Sequence, residues 1–146
     1  MEQNLFLEII GGPNSVDYLV VAGGGGGATQ HSAGGGSGGL RFSACTFCSS
    51  SPLKATAISV SETGYPIVIG GGGAGGIGPG THDGVSGVPS TALGITSTGG
   101  GGGGSYGSRP GLTGGSGGGG GSDNGPGAAG NTPPTSPSQG NSGGTG

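Results

Sequence analysis

The chain has 146 residues, a length that suits one ordinary domain, but 46 are glycine and 10 proline, while only 6% are charged. Glycine near one-third invites comparison with collagen, yet the uninterrupted runs at 99–104 and 117–121 break the strict three-residue period that a triple helix needs. The net charge is −3, and Arg41, Lys54 and Arg109 are the whole basic complement, too few for the phosphate-neutralising footprint of a nucleic-acid binder.

In chain order, residues 5–10 (LFLEII) form a short apolar run, and 11–15 (GGPNS) a turn cluster. Residues 16–22 (VDYLVVA) read as a buried strand that runs straight into five glycines at 23–27. Residues 40–47 (LRFSACTF) alternate, with Leu40, Phe42, Ala44 and Thr46 on one face, and 55–61 (ATAISVS) alternate as well. Residues 65–69 (YPIVI) predict a further strand, whose Pro66 belongs at a strand start or on a sheet edge. Residues 91–98 (TALGITST) carry the weakest strand signal. No stretch has helical periodicity, and glycine costs ~1 kcal/mol per helical position relative to alanine, so little or no α-helix is expected. From residue 99 onward nearly every residue is Gly, Ser, Pro, Asn or Thr. This divides the chain into a short-strand region, 1–98, and a glycine/proline-rich region, 99–146.

No apolar run approaches the ~18–20 residues of a membrane span, so none is expected. The opening MEQNLFLEIIGG carries acids and no basic flank, unlike a secretory leader.

Each short strand ends in a polyglycine run: VVAGGGGG, then IVIGGGGAGG, then ITSTGGGGGG. The spacing is too irregular for a solenoid repeat. Two states are open to such runs. One is disorder, because ordering a residue costs roughly 1–2 kcal/mol and glycine has no side chain to bury in return. The other is polyproline-II geometry, with three residues per turn and every N–H and C=O pointing outward, so that bare rods can hydrogen-bond their neighbours at ~0.5–1.5 kcal/mol net per bond. Prolines 110, 126, 133, 134 and 137 suit that geometry. The expected fold is therefore mainly β with packed polyglycine-II helices.

Chemistry-bearing motifs are sparse. A Walker loop needs Gly-Lys-Ser/Thr, and Lys54 stands in PLKAT with no glycine before it. A dinucleotide fingerprint needs a helix after its glycines, which ATQHSAGGGSGG cannot form. Cys45 and Cys48 make a lone CxxC, read first as free thiols, then as a turn disulfide, and last as half of a zinc set with His31 and His82. Asp83 and Asp123 sit in turn-like THDGVSG and SDNGPG, and Asp17 reads as an edge or solvent-facing position in its strand. Tyr18 and Tyr65 read as packing against glycine rods; Tyr106, beside Arg109, reads equally as an exposed carbohydrate contact. No catalytic, cofactor-binding or metal-ligating residue is assigned, and no enzyme is expected.

The order VDYLVVAGGGGG, AGGGSGGLRFS, IVIGGGGAGG and STGGGGGGSYG resembles the glycine-rich domain of tail-fibre and receptor-binding (adhesin) proteins of tailed bacteriophages, from about residue 16 to the end. The resemblance implies a small β part feeding packed polyglycine-II rods in a structural virion component, with the loops between rods touching host polysaccharide or protein. The corresponding loops here are 31–33, 81–88, 105–110 and 131–139, and no receptor-binding residue carries over. The stretch FSACTFCSSSPLKATAISVS departs from the pattern, and the chain stops in mid-pattern at QGNSGGTG, as a piece of a longer protein would. The expected partners are further copies of the chain, in a trimer or larger assembly, and a host-surface glycan or protein; the expected location is the virion or the extracellular space. An extracellular filament outside a virion is the alternative. An ice-binding rod ranks third, because the threonines are scattered.

Overall fold

The computed structural model describes the backbone of residues 3–8 and all of residues 15–43 and 51–146. Cys45, Cys48, the turn at 11–14 and the second half of the predicted strand 40–47 lie outside the described residues.

The described residues form eight short strands: β1 (Gln3–Glu8), β2 (Ser15–Val16), β3 (Leu19–Val21), β4 (Leu40–Phe42), β5 (Ile58–Ser59), β6 (Gly64–Ile69), β7 (Ser90–Ala92) and β8 (Ile95–Ser97). They form a four-stranded sheet in the order β1-β6-β7-β8 and two antiparallel pairs, β2-β5 and β3-β4. The described residues contain no α-helix, so the fold is mainly β, as composition and periodicity predict.

Three local departures from the sequence reading have physical causes. The predicted strand 16–22 is cut in two, because the chain changes partner at Asp17-Tyr18. There Tyr18 O still accepts Ser43 N–H at 3.1 Å, but Tyr18 N–H donates to Ser43 Oγ at 3.0 Å and Ser43 Oγ–H to Asp17 Oδ1 at 2.8 Å, so a side chain takes the donor that a ladder would use. The predicted strand 91–98 is a hairpin, turned by Leu93 and Gly94, whose φ values of 54° and 76° fit the type I′ geometry that matches strand twist. Pro66 is neither at a strand start nor on an edge strand, since β6 lies between β1 and β7. It is tolerated because β7 pairs with β6 only at Val68, leaving one side of Pro66 without a ladder partner.

Five strand ends continue into or out of glycine-rich segments: β3 into 22–28, 33–39 into β4, β6 into 70–76, 83–89 into β7, and β8 into 98–105. The antiparallel pairing continues with them. Ala22, Gly25 and Ala28 N–H donate to Gly39, Gly36 and Ala33 O. Further segments at 109–112, 116–122, 125–131 and 140–146 join the array.

The bonding in these rods recurs every third residue. Along 116–122, Ser116, Gly119 and Ser122 N–H bond to Ser37, Gly34 and His31 O. Gly117 and Gly120 bond to Asn141 and Gly144 O, and Gly118 and Gly121 to Leu112 and Arg109 O. A strand repeats every two residues. A period of three with all bonds going to other segments is the period of polyproline-II geometry. Rods on both sides of residue 98 share the array, as in Gly100 N–H to Gly23 O and Gly103 N–H to Gly26 O.

The centre of the molecule is main chain. All residues from 99 to 105 are buried, whereas the buried apolar side chains among the described residues are Val20, Ala22, Phe42 and Ala128. Position in the array explains where glycine is obligatory. In rod 70–76 a Cβ on Gly70, Gly73 or Gly76 would collide with the carbonyl of Val88, Val85 or His82, while one on Gly71 would meet nothing within 4 Å. That rod has neighbours on one side only. In the central rod every glycine from 99 to 104 would drive a Cβ into neighbouring backbone. An edge rod thus needs glycine at one position in three, and a surrounded rod at all of them.

Candidate functional site

The rods turn around at two ends. At one end the reversals at 29–32, 77–82, 106–108 and 122–124 lie together, held by bonds between loops. Thr29 Oγ–H donates to Gly80 O at 2.7 Å and accepts His82 N–H at 2.9 Å. Ser122 N–H reaches His31 O at 3.3 Å, and Ser108 N–H reaches Ser122 O at 2.8 Å. The Ser122 Oγ is buried with no hydrogen-bond partner among the described residues. The His31 and Tyr106 rings meet with centroids 6.2 Å apart, tilted by 59°.

Asp83 anchors this tip. Its Oδ1 accepts both the N–H of Ser105 at 2.9 Å and the Ser105 Oγ–H at 2.8 Å, and its Oδ2 accepts Arg109 Nε–H at 3.0 Å and pairs with Arg109 Nη2 at 2.7 Å. Partial desolvation pushes the Asp83 carboxyl up, but the two Ser105 bonds and the Arg109 guanidinium outweigh it and hold the group below its ordinary range. A depressed carboxylate stabilises the fold fully above its unfolded-state pKa and loses that contribution as pH falls through the folded value. Unfolding midpoints are therefore expected to drop on acidification below the ordinary aspartate range, and Asp83→Asn is expected to flatten part of that drop. Denaturant melts of both proteins between neutral pH and about pH 2.5 check this.

The tip also collects left-handed backbone. Gln30 (φ 54°), His31 (42°), Ser108 (57°), Asp123 (65°) and Asn124 (63°) occupy it without being glycine. Such residues cost on the order of 1–3 kcal/mol each and cluster where surrounding structure fixes them for a purpose.

Of the loops singled out from sequence, 31–33 and the starts of 81–88 and 105–110 meet at this tip, joined by Asp123. Residues 84–88 are instead part of a rod. Loop 131–139 lies at the opposite end, closed around Gln139, which is 1% exposed. Its Oε1 accepts Thr98 N–H at 2.8 Å, its Nε2–H donates to Pro133 O at 3.1 Å, and its backbone O accepts Leu40 N–H at 2.8 Å. Asn131 Oδ1 gathers Thr135 N–H, Thr135 Oγ–H and Gln139 N–H within the same loop. Pro133, Pro134 and Pro137 thus sit in this closed loop, while Pro110 and Pro126 lie in rods. Gln139 closes the candidate loop 131–139 but carries no local mark of burial, being one polar residue in a polar stretch. Tyr65 is tied locally, its hydroxyl oxygen accepting Ser61 N–H at 2.9 Å.

Among the described residues no three His, Cys, Asp or Glu side chains gather as a metal site, and no helix is long and apolar enough to cross a membrane. An apolar cleft of about 290 Å³ opens beside the strands, lined by residues that include Leu19, Val21, Ile67, Ile69 and Ala92.

A family model described as a glycine-rich domain matches residues 3–146. The chain belongs to the glycine-rich domain family. No curated protein and no solved structure matches this glycine-rich domain. Its tip presents three exposed rings, His31, His82 and Tyr106, with Arg109, the buttressing Asp83 carboxylate and five non-glycine residues in left-handed backbone.

Proposed function

We propose that this glycine-rich domain is a non-catalytic structural component of a phage tail fibre or surface fibre, in the virion or outside the cell, and that its loop tip contacts a host-surface glycan or protein. The observation that carries the reading is the convergence of separate reversals on one end, where His31, Tyr106 and Arg109 are exposed above hydrogen-bonded rods. A rigid scaffold with irregular loops at one end is the usual way to hold recognition residues. Aromatic faces suit the C–H faces of sugars, and Arg109 offers donors to hydroxyls or carboxylates. The resemblance in the order of strands and glycine runs supports the same reading.

Tyr106→Ala and His31→Ala are expected to weaken adsorption to host cells, or to isolated surface polysaccharide, by about tenfold or more. Both side chains are exposed, so thermal unfolding should move by no more than ~2 °C. Undiminished adsorption by the double variant would overturn the tip assignment.

The second reading is a glycine-rich filament without a virion. It is favoured by the outer rod 70–76, where Gly71, Gly72, Ala74 and Gly75 are exposed and their N–H groups have no acceptor among the described residues. Electron microscopy of native material separates the two: particles bearing the chain as a trimeric or larger fibre part, or one-component helical filaments.

A further inference from the structure

Rod 22–28 is bonded by four others, and these four form an arc. Val85 N–H to Ala74 O links 70–76 with 83–89, Gly84 N–H to Gly103 O links 83–89 with 98–105, and Gly36 N–H to Gly101 O links 98–105 with 33–39. The two ends of the arc, 33–39 and 70–76, share no backbone bond among the described residues. Between them rod 22–28 is uncovered. Gly24 and Gly27 are exposed there, one turn apart, and neither N–H has an acceptor among the described residues, although every other residue from 22 to 28 donates one bond.

The glycines along this gap have no internal reason to be glycine. A Cβ on Gly24 or Gly27 would come no nearer than 3.7 Å to any atom; on Gly72 the nearest is 3.6 Å, on Gly75 3.4 Å, and on Gly71 nothing lies within 4 Å. Elsewhere, exposed positions such as Val85 and Val88 in rod 83–89 and Pro126 and Ala129 in rod 125–131 carry side chains. Bare backbone is kept on this face, with open donors at the three-residue interval that the internal rods use. At the strand end of rods 22–28 and 70–76, Leu19, Val21 and Ile69 are 68%, 51% and 49% exposed.

We propose that this face is a docking site for a second copy of the chain, which sets a glycine rod into the gap over Gly24 and Gly27 and packs its strand end on Leu19, Val21 and Ile69. The same face contains both what is needed to dock and what is docked, an apolar strand running into a bare rod, so the contact is self-complementary. Backbone complementarity favours this occupant, since a partner bearing side chains would not approach the uncovered carbonyls and amides closely enough to bond them. The proposal is independent of the tip, which lies at the loop end of the rods.

The test is sedimentation velocity over a wide range of protein concentration, with amide exchange at Gly24 and Gly27 followed in parallel. The wild-type chain is expected to self-associate, with both amides becoming protected as concentration rises. The pair Gly24→Ala and Gly27→Ala is expected to weaken association at least tenfold while leaving the melting temperature and the remaining amide signals unchanged. Leu19→Ser, which leaves the rods untouched, should weaken it as well. A chain that stays monomeric throughout, or association that both variants leave intact, would overturn the proposal; so would association with Gly24 and Gly27 still exchanging freely.

Discussion

Gly101→Ala is expected to lower stability by about 3 kcal/mol or more, whereas Gly71→Ala should leave it unchanged or raise it by about 0.5 kcal/mol. The two residues stand in runs that look alike, so composition offers no reason for a difference. Gly101 lies in the fully buried rod, where an added Cβ would fall on the Leu112 carbonyl and within 2.9 Å of Gly118 N. Overpacking alone costs roughly 1–3 kcal/mol. Making room also strains the Gly101 N–H to Ser116 O bond at 2.9 Å and the Gly36 N–H to Gly101 O bond at 2.7 Å. Each buried group left without a partner adds about 1–3 kcal/mol. Gly71 is exposed, open around its Cβ direction and not in left-handed backbone, so alanine there chiefly restricts the unfolded chain. Thermal melts should show a fall of about 10 °C for the first variant and none for the second, at ~2–4 °C per kcal/mol for a chain of this size. Equal shifts would mean that the central rod is not packed as described.

Gln139→Ala is expected to cost about 2–3 kcal/mol, a large effect for one neutral residue near the end of a polar segment. The side chain satisfies Thr98 N–H at the base of the central rod and reaches Pro133 O across its own loop, while its main-chain O holds Leu40. Ser97, fully buried, donates its hydroxyl to Gly39 O in the same place. Truncation leaves the partly buried Thr98 N–H unpaired and a space where the amide was. Urea unfolding of the variant should give a lower midpoint with an unchanged slope, and exchange of the Thr98 amide should accelerate. A wild-type midpoint would show that the loop 131–139 closes without its glutamine.

Much of the architecture was legible because the transition from apolar strand to glycine run marks where a ladder becomes a rod: at Ala22, at Gly70 and at Thr98 the sequence locates the junction to within a residue or so. Edge rods were harder. The segment DGVSGVP reads as a loop, since Val85 and Val88 interrupt it, but only Gly84 and Gly87 face a neighbour, and they recur every third residue as a one-sided rod requires. The Gly127 and Gly130 pair and the Gly140, Gly143 and Gly146 series follow the same rule. The tip was not legible as a site. Its loops were visible one by one, but their meeting depends on which rods are neighbours, and polyglycine carries no side chain to specify that. Asp83 has the local signature of a turn residue, and nothing near it in the sequence points to Ser105, fully buried at the end of the central rod, as its partner.

Glycine main chain, bonded between segments at a three-residue interval, holds this domain together. Scalar couplings transmitted through hydrogen bonds test it most directly, because they report a specific N–H and C=O pair. This packing is expected to give cross-peaks from Gly100 and Gly103 N to Gly23 and Gly26 carbonyl carbons, and from Gly101 and Gly104 N to those of Ser116 and Gly119, with slow exchange at all four amides. Absent couplings together with exchange of these amides at the rate of an unstructured chain would contradict it.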